Sequence, residues 1–320
     1  MHNTFHIARG AFLESLRDPA IIVIFFVTAL INIILPVTAL FVFREQFRMI
    51  VDNFMATILL GGLILSVFSA DRVMGKEISQ GTAGFIFSKP VSRVEYVLGK
   101  LLGVMTLMVF YGFCSSMELL ISLRCAGDQF RLEWGIYAML IVASLVLPYL
   151  GGALRNFLKG GNFCQSSMLI LLVSLIVATS IAHFLPGHSK GEEGLNGQVA
   201  IGFMILSFAL ALMGSVAITM MTRLRVTGTF IMMFLVFLGG ATADYFFGIA
   251  ADKGNVFARL MHVMLPNWQS FWQAEALAIK INIPTAYLIW SFIYMLTMIC
   301  FFSSLACFLF QGRELHGEAS

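Results

Sequence analysis

The chain has 320 residues, of which 59% are hydrophobic and only 12% are charged. Soluble domains carry roughly 25% charged residues, so this composition excludes an ordinary water-soluble domain and indicates a membrane protein. The net charge of +3 comes from basic residues spread through the loops, which gives no reason to expect a nucleic-acid partner. Apolar runs such as 21–35 lack the two-residue alternation of a transmembrane barrel, so we expect an all-α bundle in a lipid bilayer.

Residues 1–18 predict an amphipathic helix that lies in the membrane interface. Apolar residues recur there at three- and four-residue spacing from Phe5 to Leu16, with charged residues on the other faces, which is typical of a helix with one apolar face. Pro19 disfavours helical geometry in the residue before it. We therefore expect this helix to end there and a transmembrane domain to occupy 19–320.

The transmembrane domain is predicted to cross the bilayer eight times, because a helix needs roughly 20 apolar residues to span a hydrocarbon core of about 30 Å. The predicted spans are 20–43, 53–70, 96–123, 134–154, 163–185, 199–222, 229–251 and 285–311. With this count, twelve of the 20 Lys and Arg residues fall on the side that holds both termini, and eight fall on the other. Cytoplasmic loops are enriched in Lys and Arg, so we expect both termini to be cytoplasmic.

Motifs for catalysis and cofactor binding are absent from the sequence. It contains no G-x-x-x-x-G-K-[ST] phosphate loop, no H-E-x-x-H and no G-x-S-x-G, so we expect neither an enzyme nor a resident cofactor. The five cysteines have no C-x-x-C spacing and are interpreted as small hydrophobic residues. His183 and His188 have no nearby Cys or carboxylate in the sequence, so they are interpreted as loop residues and no metal site is predicted.

Two carboxylates fall inside predicted spans, where a charge is costly unless it is paired or wet. Glu118 belongs to the third span and Asp244 to the seventh. Both lie toward the outer ends of their helices, so the favoured interpretation is that they reach the lipid headgroups. The alternative is that they line a cavity.

Residues 252–284 form the longest predicted extracytoplasmic connection. Pro266 divides it into two short amphipathic stretches, and Trp268 and Trp272 lie four residues apart. Tryptophan is enriched at membrane interfaces, so the favoured interpretation is a helix resting on the outer leaflet. The alternative is a gate or a re-entrant element over a translocation path.

Residues 71–95 form the longest predicted cytoplasmic connection and carry a distinctive pattern. Its members, continued into the third span, are Glu77, Gly81, Thr82, Pro90, Ser92, Arg93, Gly99 and Lys100. The pattern resembles the first intracellular loop of type-2 ABC exporter permeases. The resemblance implies that the acidic residue and the Gly-Thr pair begin a short coupling helix that docks on an ATPase subunit, and that the Pro-x-Ser-Arg turn leads the chain back to the membrane.

An apolar cluster in the same connection, residues 85–87, agrees with such docking. An exposed patch of this kind usually marks a partner surface, and the alternative is that it packs on the ends of the protein's own helices. The resemblance extends to residues 1–18, which are similar to the family's elbow helix, and to the closing stretch 310–315. The predicted ATPase-coupling residues are Glu77, Gly81, Thr82, Phe85, Phe87, Pro90, Ser92 and Arg93.

By this resemblance the chain is expected to be a permease subunit in a bacterial inner membrane. The family has a six-span core, so two of the eight predicted spans would be additions. Two separate ATP-binding subunits and a second permease chain, identical or different, are the implied partners, and export is the implied activity. The alternatives are a membrane subunit that passes ATPase movement to an extracytoplasmic partner without moving a solute, and a scaffold or assembly factor that uses no ATP.

Overall fold

The computed structural model describes residues 2–42, 45–82, 91–125, 132–185, 197–279 and 281–312. The described chain is an all-α helical bundle, which confirms the predicted fold class. Its helices are α1 (His2–Ser15), α2 (Pro19–Ala39), α3 (Gln46–Ser79), α4 (Arg93–Cys125), α5 (Trp134–Lys159), α6 (Phe163–Phe184), α7 (Gly197–Met221), α8 (Val226–Ala241), α9 (Asp244–Ala251), α10 (Val256–Met264), α11 (Ala274–Ala278) and α12 (Thr285–Gln311).

Local sequence signals explain where several helices begin and end. The side chain of Asp18 accepts a 2.8 Å hydrogen bond from the backbone N–H of Ala20 and caps α2, whose first residue is a proline, an arrangement favoured at helix starts. Ser92 and Glu95 form a reciprocal capping box at α4: the Ser92 hydroxyl accepts from the Glu95 N–H, and the Glu95 carboxylate accepts from the Ser92 N–H. Helix α5 ends at Gly160, which has a φ of +61°.

Seven described helices are long and apolar enough to cross a membrane, and α8 with α9 forms an eighth candidate that is bent by 59°. The carboxyl end of α12 lies beside the start of α4, because the Arg93 guanidinium donates a 2.6 Å hydrogen bond to the backbone carbonyl of Gln311. Helix α1 also lies beside the start of α4, where Gly99 faces Ile7 and Thr4, so the first and last described helices meet at the same end of the bundle. An even number of crossings is compatible with this, and α8 with α9 supplies the eighth candidate span.

The second and seventh predicted spans differ most from the structure. The apolar run at 53–70 is the middle of a 34-residue helix that begins at Gln46 and ends at Ser79. Both ends of this helix carry polar residues, so the apolar run in the sequence is shorter than the helix. The stretch predicted as one span at 229–251 is instead broken near Thr242, where the helix changes direction.

The core of the bundle is built around α7. In its most apolar 18-residue window 78% of the residues are buried, against 28% for α12. Gly214 of α7 lets the helix lie close to α4, since a Cβ there would stand 3.2 Å from side-chain atoms of Val104 and Met108. Helix α7 is thus surrounded by protein, whereas α12 presents most of its surface outward.

Helix α1 packs on α4 through two glycines, Gly99 and Gly103. A Cβ at Gly103 would lie 2.8 Å from the backbone carbonyl oxygen of Ala8, so only glycine permits this approach. Leu16 of α1 is buried, whereas Phe5 is 69% exposed; the placement of α1 in the membrane interface stays a prediction.

Candidate functional site

The end of the bundle that carries α1, residues 71–79 of α3 and the start of α4 holds most of the predicted coupling residues, and we call it the charged end. Glu77 is the centre of this site. Its carboxylate accepts a 2.6 Å hydrogen bond from the hydroxyl of Tyr96 and a 2.7 Å charged hydrogen bond from the ammonium of Lys100. Tyr96 is fully buried and Lys100 is 5% exposed. We call this contact between α3 and α4 the Glu77 latch.

The latch changes the role predicted for Glu77. The sequence placed this residue on a docking surface, but its side chain is only 21% exposed and points to α4. Burying Lys100 without a partner would be costly, so the carboxylate serves first to neutralise that ammonium. Glu77 thus holds the end of α3 against the start of α4, and its role in docking stays a prediction.

The other predicted coupling residues that the structure describes lie at the two ends of the 71–95 segment. Gly81 has a φ of +68°, a conformation that glycine adopts without strain. Thr82 donates a 3.2 Å hydrogen bond back to the carbonyl of Glu77. Ser92 caps α4, and Arg93 reaches the end of α12. These contacts turn the chain away from α3 and return it to the bundle.

Three predicted coupling residues, Phe85, Phe87 and Pro90, lie outside the described residues. Docking by the apolar cluster at 85–87 therefore stays a prediction.

The charged end also contains a second set of ion pairs, which was not predicted from the sequence. Arg72 lies 3.3 Å from Glu14 and 3.4 Å from Asp18, and Lys76 lies 3.6 Å from Asp18. Burial raises the pKa of Glu14 above its ordinary value, and the nearby cations, Lys100 first, oppose that rise. The sequence spacing could have indicated a basic surface here, because Arg72 and Lys76 are four residues apart and share one helix face.

Glu118 lies toward the other end of α4, about 9 Å along the helix axis from Arg124 at a rise of 1.5 Å per residue. Its side chain is 3% exposed, and its carboxylate accepts a 2.7 Å hydrogen bond from the amide of Asn32 in α2. The favoured interpretation, that it reaches the headgroups, is wrong: Glu118 points into the bundle. The hydropathy of the span does not distinguish a headgroup-facing Glu118 from a buried one, because the neighbouring helix determines which face of α4 is covered.

Asp244 lies at the opposite end of the bundle, directly after the break between α8 and α9. Its side chain is 49% exposed, so it fits the predicted surface position better than Glu118 does. The carboxylate contacts His262 at 2.8 Å and accepts from the Asn267 amide at 2.9 Å. Asp244 thus joins the bent helix to the segment that follows it.

That segment, predicted at 252–284, forms α10, a 3₁₀ turn at Trp268–Phe271 and α11, divided at Pro266 as expected. Trp268 is 3% exposed, so it packs within the bundle, and the placement of this segment on the outer leaflet stays a prediction. Its indole N–H donates to the carbonyl of Val236 at 3.3 Å, and the amide of Gln269 donates to the carbonyl of Ala241 at 2.8 Å. The segment thus donates hydrogen bonds to carbonyls in the last two turns of α8, before the break near Thr242.

Within the described residues, no group of three or more His, Cys, Asp and Glu side chains is placed to hold a metal ion. The fold and these sites define the protein as a multi-pass α-helical membrane protein. No protein-family model and no curated protein sequence matches the chain.

Proposed function

We propose that this chain is the membrane-spanning permease subunit of an ABC transporter, and that it couples ATP hydrolysis by separate ATPase subunits to export. The observation that carries the proposal is the Glu77 latch. It fastens the end of α3 to the start of α4, which are the two ends of the 71–95 segment. A force applied to that segment by a partner is therefore passed to two transmembrane helices at once.

The length of α3 suits it to carry such a force. It runs as one helix over 34 residues, about 50 Å at 1.5 Å per residue. Closure of two ATPase subunits would press on the segment, and α3 would carry the displacement along the buried α7 toward the opposite end. A second permease chain would complete the path between subunits, and the complex would sit in a bacterial inner membrane with both termini cytoplasmic.

A second candidate function is the transmission of ATPase movement to an extracytoplasmic partner without solute transport. One observation favours it: α10, at the opposite end, exposes a row of apolar side chains. These are Val256, Phe257, Leu260 and Val263, which are 81%, 66%, 53% and 62% exposed. Under this alternative, replacing these residues abolishes the cellular function while ATPase binding and stimulated hydrolysis persist.

The test of the main proposal is the double replacement Phe85→Ala/Phe87→Ala. Buried interface aromatics commonly contribute about 2 kcal/mol or more, roughly a thirtyfold loss of affinity when they are truncated. We expect the ATPase subunits to be lost from the detergent-purified complex, or their hydrolysis to be uncoupled from transport, while the membrane level of this chain is unchanged.

The matched control is Phe157→Ala, which removes an 87% exposed aromatic side chain near the end of α5, also at the charged end. It should leave ATPase association intact. A normally expressed double variant that retains its ATPase and transports at the unmodified rate would refute the proposal, as would robust ATP hydrolysis by a preparation containing this chain alone.

A further inference from the structure

Helices α2, α4 and α5 enclose a row of polar side chains between them. We call the set Thr28, Asn32, Tyr111, Glu118 and Ser144 the buried polar seam; each member is less than 5% exposed. The hydroxyls of Thr28 and Tyr111 lie 3.1 Å apart, and one helical turn farther along α2, Asn32 contacts Glu118. The seam lies inside the membrane-spanning part of the bundle, where unsatisfied polar groups are costly.

The charge of Glu118 has no protein counter-charge among the described residues. Its neighbours in the seam are the Asn32 amide and the Ser144 hydroxyl, which are neutral groups. An ionised carboxylate inside a membrane protein is normally paired with a cation or exposed to water, and Glu118 is 3% exposed. An ionised Glu118 therefore needs a positive charge that the described residues do not supply.

The seam also has an oxygen atom without a hydrogen-bond partner. Asn32 is fully buried, yet its amide oxygen has no partner in the part of the chain that the structure describes. The hydroxyl of Ser144, also fully buried, lies beside the carboxylate of Glu118. Buried polar atoms are normally satisfied, so such exceptions need an explanation. With the two carboxylate oxygens of Glu118, these atoms make a donor set of oxygen alone.

The backbone around the seam is irregular on both sides. Ser144 is the central residue of a π-helical turn, Val142–Val146, inside α5, and such turns are frequent at functional sites. The hydroxyl of Ser174 donates a 2.7 Å hydrogen bond to the carbonyl of Ala143 and so supports this turn. In α2, Pro36 removes the N–H that would normally bond to the carbonyl of Asn32.

We propose that Glu118, Asn32 and Ser144 form a binding site for a sodium ion. A hard cation takes oxygen ligands, and the donor set contains nothing else. A single positive charge neutralises the one carboxylate, whereas a divalent ion would leave an uncompensated charge in the bundle. The ion would take the oxygens of Asn32, Ser144 and Glu118 as ligands and would tie α2, α4 and α5 together.

The test is a thermal-unfolding titration of the full-length chain in detergent, with sodium chloride replacing choline chloride at constant ionic strength. A ligand that binds only the folded state raises the unfolding midpoint, so we expect a rise of about 3 °C between 1 and 200 mM sodium. Equilibrium binding of radioactive sodium should approach one ion per chain. Glu118→Gln should abolish both effects. Ser144→Ala is a smaller change that tests the site if Glu118→Gln does not fold, and it should weaken sodium binding about tenfold.

The control is Asp244→Asn, which neutralises the exposed carboxylate at the opposite end and should leave the sodium response unchanged. A wild-type midpoint that is the same in sodium and in choline, with no bound radioactive sodium, overturns the proposal. In that case an infrared band of a protonated carboxyl group that disappears in Glu118→Gln would show that the site holds only a proton.

Discussion

The two ends of the bundle join their helices by different physical means. At the charged end, α1, α3 and α4 are connected by ion pairs among Glu14, Asp18, Arg72 and Lys76 and by the Glu77 latch. At the opposite end, neutral donors of the 252–284 segment hydrogen-bond to carbonyls of α8, and one carboxylate, Asp244, contacts His262 and Asn267. The first end depends mainly on ion pairs, and the second mainly on hydrogen bonds and close backbone packing.

This difference indicates how each end responds to force. Ion pairs can be rearranged when a charged partner approaches, so under the proposed function the charged end is the one that would contact the ATPase subunit. A tightly packed contact of glycine, tryptophan and carbonyl groups has one good arrangement, so the opposite end is suited to hold the bend between α8 and α9 fixed. Substitutions at each end can test this contrast.

The largest effect is expected from Glu77→Ala, which removes the carboxylate that is hydrogen-bonded to the buried ammonium of Lys100. Removing one partner of a buried ion pair costs about 3 kcal/mol or more, which corresponds to a fall of roughly 4–5 °C or more in the unfolding midpoint of a chain of this size. The midpoint in detergent, followed by tryptophan fluorescence, is the measurement.

The double variant Glu77→Ala/Lys100→Met sharpens this prediction. Because it removes the unpaired charge as well, it should unfold at a higher temperature than Glu77→Ala alone. If the two substitutions destabilise additively, the latch contributes no coupling energy and the contrast between the two ends fails.

An intermediate effect is expected at the opposite end from Gly240→Ala. The added Cβ would collide with the carbonyl oxygen of Pro266 and lie 2.7 Å from the indole nitrogen of Trp268. Overpacking of this kind costs about 1–3 kcal/mol, so the midpoint should fall and exposure of Trp268 should shift the fluorescence maximum to longer wavelength.

The neighbouring Gly239→Ala is the matched control, because its Cβ would lie 3.6 Å from Leu265, an ordinary contact. Alanine stabilises a helix relative to glycine by up to about 1 kcal/mol, so this variant should unfold at the same or a higher temperature than the wild type. Equal destabilisation by both alanines would mean that the close approach at Gly240 has no structural role.

The smallest effect is expected from Glu14→Gln at the charged end. Burial raises the pKa of Glu14, so its charged form is less favourable in the folded state, and its contribution to stability is lost as the pH rises above the ordinary value of 4.5. The side chain is 33% exposed, so we expect less than about 1 kcal/mol.

Glutamine does not titrate, so the midpoint of Glu14→Gln relative to the wild type should increase between pH 4 and pH 7. A relative midpoint that decreases over this range would show that pairing with Arg72 outweighs burial.

The sequence by itself predicted the class of the fold and most of the spans. Long apolar runs determine that helices cross the bilayer, because hydrocarbon leaves no other way to satisfy the backbone. Capping residues such as Asp18 and Ser92 act within a few positions of the chain, so the break before α2 and the start of α4 could be expected from sequence. The division of the 252–284 segment at Pro266 follows from the same local reasoning.

Only the tertiary structure decided which residues meet. The partners of Glu118 and Glu77 come from other helices, Asn32 at a separation of 86 residues and Lys100 at 23, and helix periodicity within one span does not identify them. The same holds for Trp268, whose burial depends on α8 lying against it. Hydropathy measures how apolar a segment is, whereas the role of a polar residue depends on which neighbouring helix covers it.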